Sequence, residues 1–172
     1  VRQVANDSRS VLNSSLVSIE LPDRDVFLDM LSERKQQPSI DEIRELWLSL
    51  QKEMTEAGKV SVTNVPVVTV QGVVEHLDVT RVGVFTAFSD GQFLRYLPET
   101  NNLVELSRQP IDRLKQTVRE FEATTDGSLQ PVVIDPTRGA LMALLVQSPN
   151  LFERIQQGGW IGLIILAIGA VG

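Results

Sequence analysis

The chain holds one histidine, His76, and no cysteine. A lone imidazole works as a general base only beside a nucleophile and an orienting acid, and no nucleophile elbow accompanies it. His76 therefore reads as a polar position in a strand. The absence of cysteine removes the thiolate nucleophile, the disulfide framework and the cysteine-ligated metal site. Asp23, Asp25 and Asp29 crowd together but lack the glycine and terminal glutamate of a calcium loop, so they read as the capped, solvated start of a helix. Glu120 and Glu122 fall on the polar face of a helical pattern, and acid-base work would need a cleft that shifts their pKa values. No glycine-rich loop runs into Lys-Ser or Lys-Thr, which leaves the Gly158-Gly159 pair as a hinge or a point of close packing. Asp135-Pro136-Thr137-Arg138-Gly139 is the most motif-like short stretch. Asp before Pro favours a turn, Gly139 can take positive φ, and Arg138 would be free to pair with a carboxylate. These residues predict no enzyme, no cofactor and no bound metal.

Charge narrows the partners. The formal net charge is −6 and the sequence pI about 4.8. Binding to nucleic acid needs clustered Lys and Arg to neutralise phosphates, and no basic stripe occurs, so nucleic acid is not an expected partner. A chain of 172 residues holds one globular domain of ordinary size with length left for helices outside it.

The elements that must position these groups follow from periodicity. Val4, Val11, Leu12, Leu16 and Ile19 recur at helical spacing and predict one amphipathic helix, broken at Leu21-Pro22. A short helix capped by Asp23 follows through Phe27, Leu28 and Leu31. Ser39 with Glu42 three residues on is a capping box ahead of Ile43, Leu46, Trp47, Leu50 and Met54. That helix should stop at Gly58 in a left-handed conformation and pack on its own domain, although the near-heptad spacing also suits a partner helix.

At Lys59 the texture turns β-branched. Val60–Val65, Val67–Val70 and Val73-Val74 predict strands, with Pro66 and Gly72 marking an edge, bulge or bend. Leu77 to Phe88 alternates as one further strand. Asp90-Gly91 then supplies a hairpin signal, because a type I′ turn needs the positive φ these residues tolerate. Phe93–Tyr96 and Leu103–Leu106 complete an antiparallel sheet. Phe85, Phe88, Phe93 and Tyr96 read as its core, or, if exposed, as a partner surface. Helical spacing returns at Ile111, Leu114, Val118 and Phe121, and Pro131 to Asp135 is extended. Leu141–Val146 and Leu151–Ile155 suggest short helices.

The final segment is uncharged and apolar from Trp160 to Gly172. A spanning helix needs about 20 apolar residues, so this run reads as the first part of a transmembrane helix, with Trp160 as its interfacial anchor. Small residues such as Gly162 and Gly169 suit close packing of membrane helices. Glu153 and Arg154 balance one another before it, so no excess of Lys or Arg marks this flank as cytoplasmic and the preceding residues are placed outside, in the periplasm. The expected class is α+β: N-terminal helices, a small antiparallel β-sheet domain with a hairpin, further helices and the start of a C-terminal transmembrane helix. Its regions are 1–59 (helical), 60–157 (α+β) and 158–172 (membrane entry).

Three stretches carry a family resemblance: Arg81 to Leu97, Asp135 to Leu141, and Glu153 to Gly162. They resemble the periplasmic region of long ExbB-like proteins of the MotA/TolQ/ExbB proton-channel family, over most of residues 60–172. The resemblance implies an inner-membrane complex that couples proton-motive force to TonB-dependent transport of iron-siderophore or haem across the outer membrane. It implies ExbB-, ExbD- and TonB-like partners and a homo-oligomeric ring, a pentamer by preference. Arg81, Asp90, Gly91, Asp135, Arg138, Gly139, Gly158, Gly159 and Trp160 would be structural or interaction residues. Proton conduction falls to none of them, because the channel helices of that family come later. The alternative expectation is an extracytoplasmic ligand-sensing domain of a single-span signalling protein.

Overall fold

The computed structural model describes residues 2–21, 24–33 and 36–137. Arg138, Gly139, Gly158, Gly159, Trp160, the short helices expected at 141–146 and 151–155 and the expected membrane helix all lie outside those residues. Among the described residues no helix is long and apolar enough to cross a membrane. The class is α+β: three helices and a 3₁₀ turn, then five strands, then a fourth helix.

The first amphipathic segment is two elements. Helix α1 spans Arg2–Asn13 and stops short of a 3₁₀ turn at Leu16–Ile19. Ser15 makes the break, because its hydroxyl accepts the Val17 N–H and caps the new turn. Helix α2 runs Arg24–Glu33 and α3 Ile40–Ala57. The capping box is present in full: Ser39 Oγ accepts the Glu42 N–H, and Glu42 accepts the Ser39 N–H. Gly58 ends α3 at φ −90°, ψ 0°, so the left-handed cap expected there does not form. The chain enters strand β1 directly instead, and Arg81 takes the Glu56 carbonyl.

Strands β1 (Val60–Val68), β2 (Val74–Val82), β3 (Thr86–Ser89), β4 (Gln92–Leu97) and β5 (Asn102–Glu105) form a closed barrel. Consecutive strands are antiparallel, while β1 and β5 meet in parallel at Val67–Leu103 and Val68–Val104. The purely antiparallel sheet expected from sequence is thus a mixed one. In an up-and-down meander of five strands the first and last run the same way, so closure can only be parallel.

The run from Leu77 to Phe88, expected as one strand, is two. Gly83 takes φ 57°, the Phe85 N–H donates to the Val82 carbonyl, and the chain reverses so that Val82 pairs with Thr86. Strand β1 passes straight through Pro66, whose outward position is exposed. The Asp90-Gly91 turn forms as expected: φ is 48° and 72°, with Ser89 paired to Gln92 across it.

Side chains alternate across the barrel wall. Val65, Val67, Val79, Ala87, Leu94 and Leu103 point inward, and Leu16 of the 3₁₀ turn joins them. Val82, Phe88 and Phe93 point outward, where helix α4 (Asp112–Ala123) covers them with Val118, Leu114 and Phe121. Phe88 meets Phe93 and Phe121 edge to face at about 6 Å. A third cluster, Leu12, Leu28, Leu31 and Leu46, joins the first three helices.

Candidate functional site: the charged mouth of the barrel

Arg81 follows Val79 at two-residue spacing, so it too points inward, at the end of β2 where the barrel opens towards the helices. Its side chain is 2% exposed. Burying a guanidinium costs heavily unless its donors are met. Nε and Nη2 each lie 2.9 Å from a different Glu20 oxygen, and Nη1 donates to the carbonyls of Gly83 at 2.7 Å and Glu56 at 3.1 Å. Ser61, the register partner of Arg81 on β1, donates to Glu20 Oε1, the oxygen that also accepts from Arg81 Nε. Burial pushes the Glu20 carboxyl upward, but the hydrogen bonds from Arg81 and Ser61 and the guanidinium charge outweigh it, so its pKa lies below the ordinary value.

This pair joins the helices to the barrel. Glu20 caps the 3₁₀ turn, so the segment that puts Leu16 into the barrel core also brings the carboxylate. Only about 10 Å³ of void remains between Ile19, Glu20, Arg81 and the core side chains. Among the described residues the barrel interior at this end is filled by side chains, with no room there for a ligand. One α3 turn away, Arg24 makes a second buried pair, with Nη1 2.7 Å from Glu53 and Nη2 on the Leu12 carbonyl and Ser18.

Among the described residues, glycines mark two places where a helix approaches a barrel turn. A Cβ on Gly83 would lie 2.7 Å from the Ala57 carbonyl oxygen at the end of α3. A Cβ on Gly91 would fall on the Arg119 side chain of α4. Beside it Glu122 accepts the Gly91 N–H at 2.8 Å. Burial raises the Glu122 pKa, offset in part by the Gly91 and Asp90 N–H groups. Glu122, read from sequence as one of a solvated pair, instead holds the hairpin tip.

Asp135 is buried, and its N–H donates to Thr86 Oγ1 at 2.9 Å. Its carboxylate accepts from the Thr137 N–H and hydroxyl, giving the turn expected before Arg138. The structure thus brings Arg81, and through Thr86 also Asp135, to β2 and β3, while Asp90 and Gly91 form a separate contact at the far end of β3. His76 stands exposed on β2, away from both. Among the described residues no group of His, Asp or Glu could hold a metal ion.

Sequence reading missed Glu20, Arg24 and Glu53. Each sits in a polar-looking helical stretch, and only the break at Ser14-Ser15 and the Leu21-Pro22 punctuation hinted that the chain changes direction around Glu20. A groove of about 450 Å³ beside the mouth is lined by Leu21, Arg24, Phe27, Leu48 and Lys52, with Glu20, Glu45 and Ser49 around it. Comparison with protein-family models, curated proteins and solved structures finds no match for this chain.

Proposed function

We propose that this chain is a non-catalytic periplasmic assembly domain of an ExbB-like subunit. It works within a TonB-type complex that couples proton-motive force to outer-membrane transport of iron-siderophore or haem. The observation that carries the reading is the filled barrel: its mouth is closed by the chain's own Glu20 and Leu16, so its outer surfaces remain to interact. The resemblance over Arg81 to Leu97, Asp135 to Leu141 and Glu153 to Gly162 and the apolar run from Trp160 add the membrane context. In this role the domain places ExbD- and TonB-like periplasmic parts above a ring of its own kind in the inner membrane.

A second reading, a ligand-sensing domain, draws on the groove between α2 and α3, whose volume falls in the range of small-molecule sites. Reading the gene beyond Gly172 separates the two. The assembly reading expects the rest of a membrane helix and at least two further spans. A kinase, cyclase or methyl-accepting coiled coil there would overturn it in favour of the sensor.

A further inference from the structure

Strand β2 has one edge that the barrel leaves open. Strand β1 pairs with β2 along its whole length, but β3 reaches only Thr80, Arg81 and Val82. From Val74 to Val79 the side of β2 away from β1 therefore has no neighbouring strand among the described residues. The ladder shows which groups lie there. The Gly83 N–H donates to the Lys59 carbonyl and the Thr69 N–H to the Val73 carbonyl, so odd-numbered residues of β2 turn their backbone groups to β1 and even-numbered ones turn theirs away. The N–H and C=O of Val74 and His76 and the N–H of Asp78 face outward, while the Asp78 carbonyl accepts from Ser89 Oγ. All three residues are exposed, Val74 by 61%.

We propose that this edge takes up an extended segment of a partner protein as an added strand, and that the segment carries a Lys or Arg beside Asp78. A free edge is a template for main-chain pairing unless proline or a bulge blocks it. Pro66, directly opposite His76, removes the outward donor from β1. The run Val74-Glu75-His76-Leu77-Asp78 holds no proline and no glycine, so β2 keeps its donors. Charge names the occupant. At its Asp78 end the edge borders a groove of about 530 Å³, where Asp78, Asp90 and Glu122 stand against one cation, Arg119. That excess of carboxylates favours a basic side chain on the incoming strand. A second copy would bring the same edge, which has no Lys or Arg to offer. At the other end Val73 and Val74 are exposed, which suits an apolar residue on the added strand. The inference goes beyond the assembly reading and does not rest on it, since edge and groove belong to the barrel whatever membrane system it serves.

The probe is a displayed library of random dodecapeptides, selected against the complete chain in detergent and then synthesised singly. Recovered peptides are expected to carry a Lys or Arg among alternating apolar residues. His76→Pro deletes an outward N–H without touching the β1 ladder, and should weaken their binding about tenfold. His76→Ala keeps that N–H and should bind like the unaltered chain, while Asp78→Asn should weaken binding about threefold. Hydrogen exchange resolved to single amides reads the same event with no substitution at all. Val74, His76 and Asp78 should exchange fast alone and slowly with peptide, whereas Leu77 and Val79 stay slow throughout. Recovery of no peptide sensitive to His76→Pro, an equal loss with His76→Ala, or protection that misses the even-numbered amides overturns strand addition. A consensus without Lys or Arg overturns the assignment of a basic partner. Slow exchange of the three amides before any peptide is added also overturns the inference, because a second copy or another part of the chain then already covers the edge. None of these results bears on the gene beyond Gly172, where the transport reading is tested.

Discussion

Arg81 in the barrel wall and Glu20 at the end of the 3₁₀ turn form a two-point pair, each nitrogen 2.9 Å from its own oxygen, across 61 residues of sequence. Removing one partner leaves the other buried and uncompensated. Glu20→Gln or Arg81→Met is therefore expected to cost about 3–5 kcal/mol. The double variant should cost clearly less than the sum of the two. Urea unfolding of the four proteins checks this, and strict additivity would show that the pair is not coupled.

The two shifted carboxylates pull the pH dependence in opposite directions. The Glu20 pKa is lowered on folding, so its contribution is present above the ordinary glutamate value and is lost as pH falls through the lower folded value. The Glu122 pKa is raised, so its contribution is full below the ordinary value and is lost as pH rises through the folded value. Glu122→Gln can still accept the Gly91 N–H, and should flatten stability on the alkaline side of the ordinary glutamate pKa. Unfolding midpoints across that window measure it; an unchanged slope would contradict the assignment.

Of the four described glycines with positive φ, Gly72, Gly83 and Gly91 lie in the barrel turns and differ in what lies beside them. Gly83→Ala meets a fixed backbone carbonyl, Gly91→Ala a flexible arginine, and Gly72→Ala nothing within 4 Å. Each carries backbone strain of about 1–2 kcal/mol. The expected order of destabilisation is Gly83 over Gly91 over Gly72, read by thermal or urea melts.

On α3 the buried and exposed apolar positions should separate sharply. Leu46→Ala opens the cluster with Leu12, Leu28 and Leu31 and is expected to cost about 2–5 kcal/mol. Trp47 and Met54 are exposed, so Trp47→Ser and Met54→Ser should stay within about 0.5 kcal/mol. A large loss at Trp47 would mean that the domain itself uses that residue.

Local chemistry carried most of what was legible in the sequence. The Ser39–Glu42 box, the Asp90-Gly91 turn and the change of texture at Lys59 are short-range signals, and each corresponds to its element. Barrel closure was not legible, because the β1–β5 pairing joins residues 36 apart through two residue pairs only. The Gly83 turn was hidden inside a two-residue alternation that runs on through Arg81 and Gly83 to Phe85. Arg81 stood out within its motif, but its partner did not, since one glutamate in an acidic chain has no local mark until the fold buries it. The exposed Ile43, Trp47 and Met54 on α3 show the same limit: heptad spacing fixed the face, while only the packing of Leu46 and Leu50 decided which part of it turns inward.

The proposed function is tested most directly by the size of the full-length protein extracted from membranes in mild detergent, by light scattering with the detergent contribution subtracted. The account predicts a multimer of ring size when the membrane segments are present. A monomer under those conditions would contradict it.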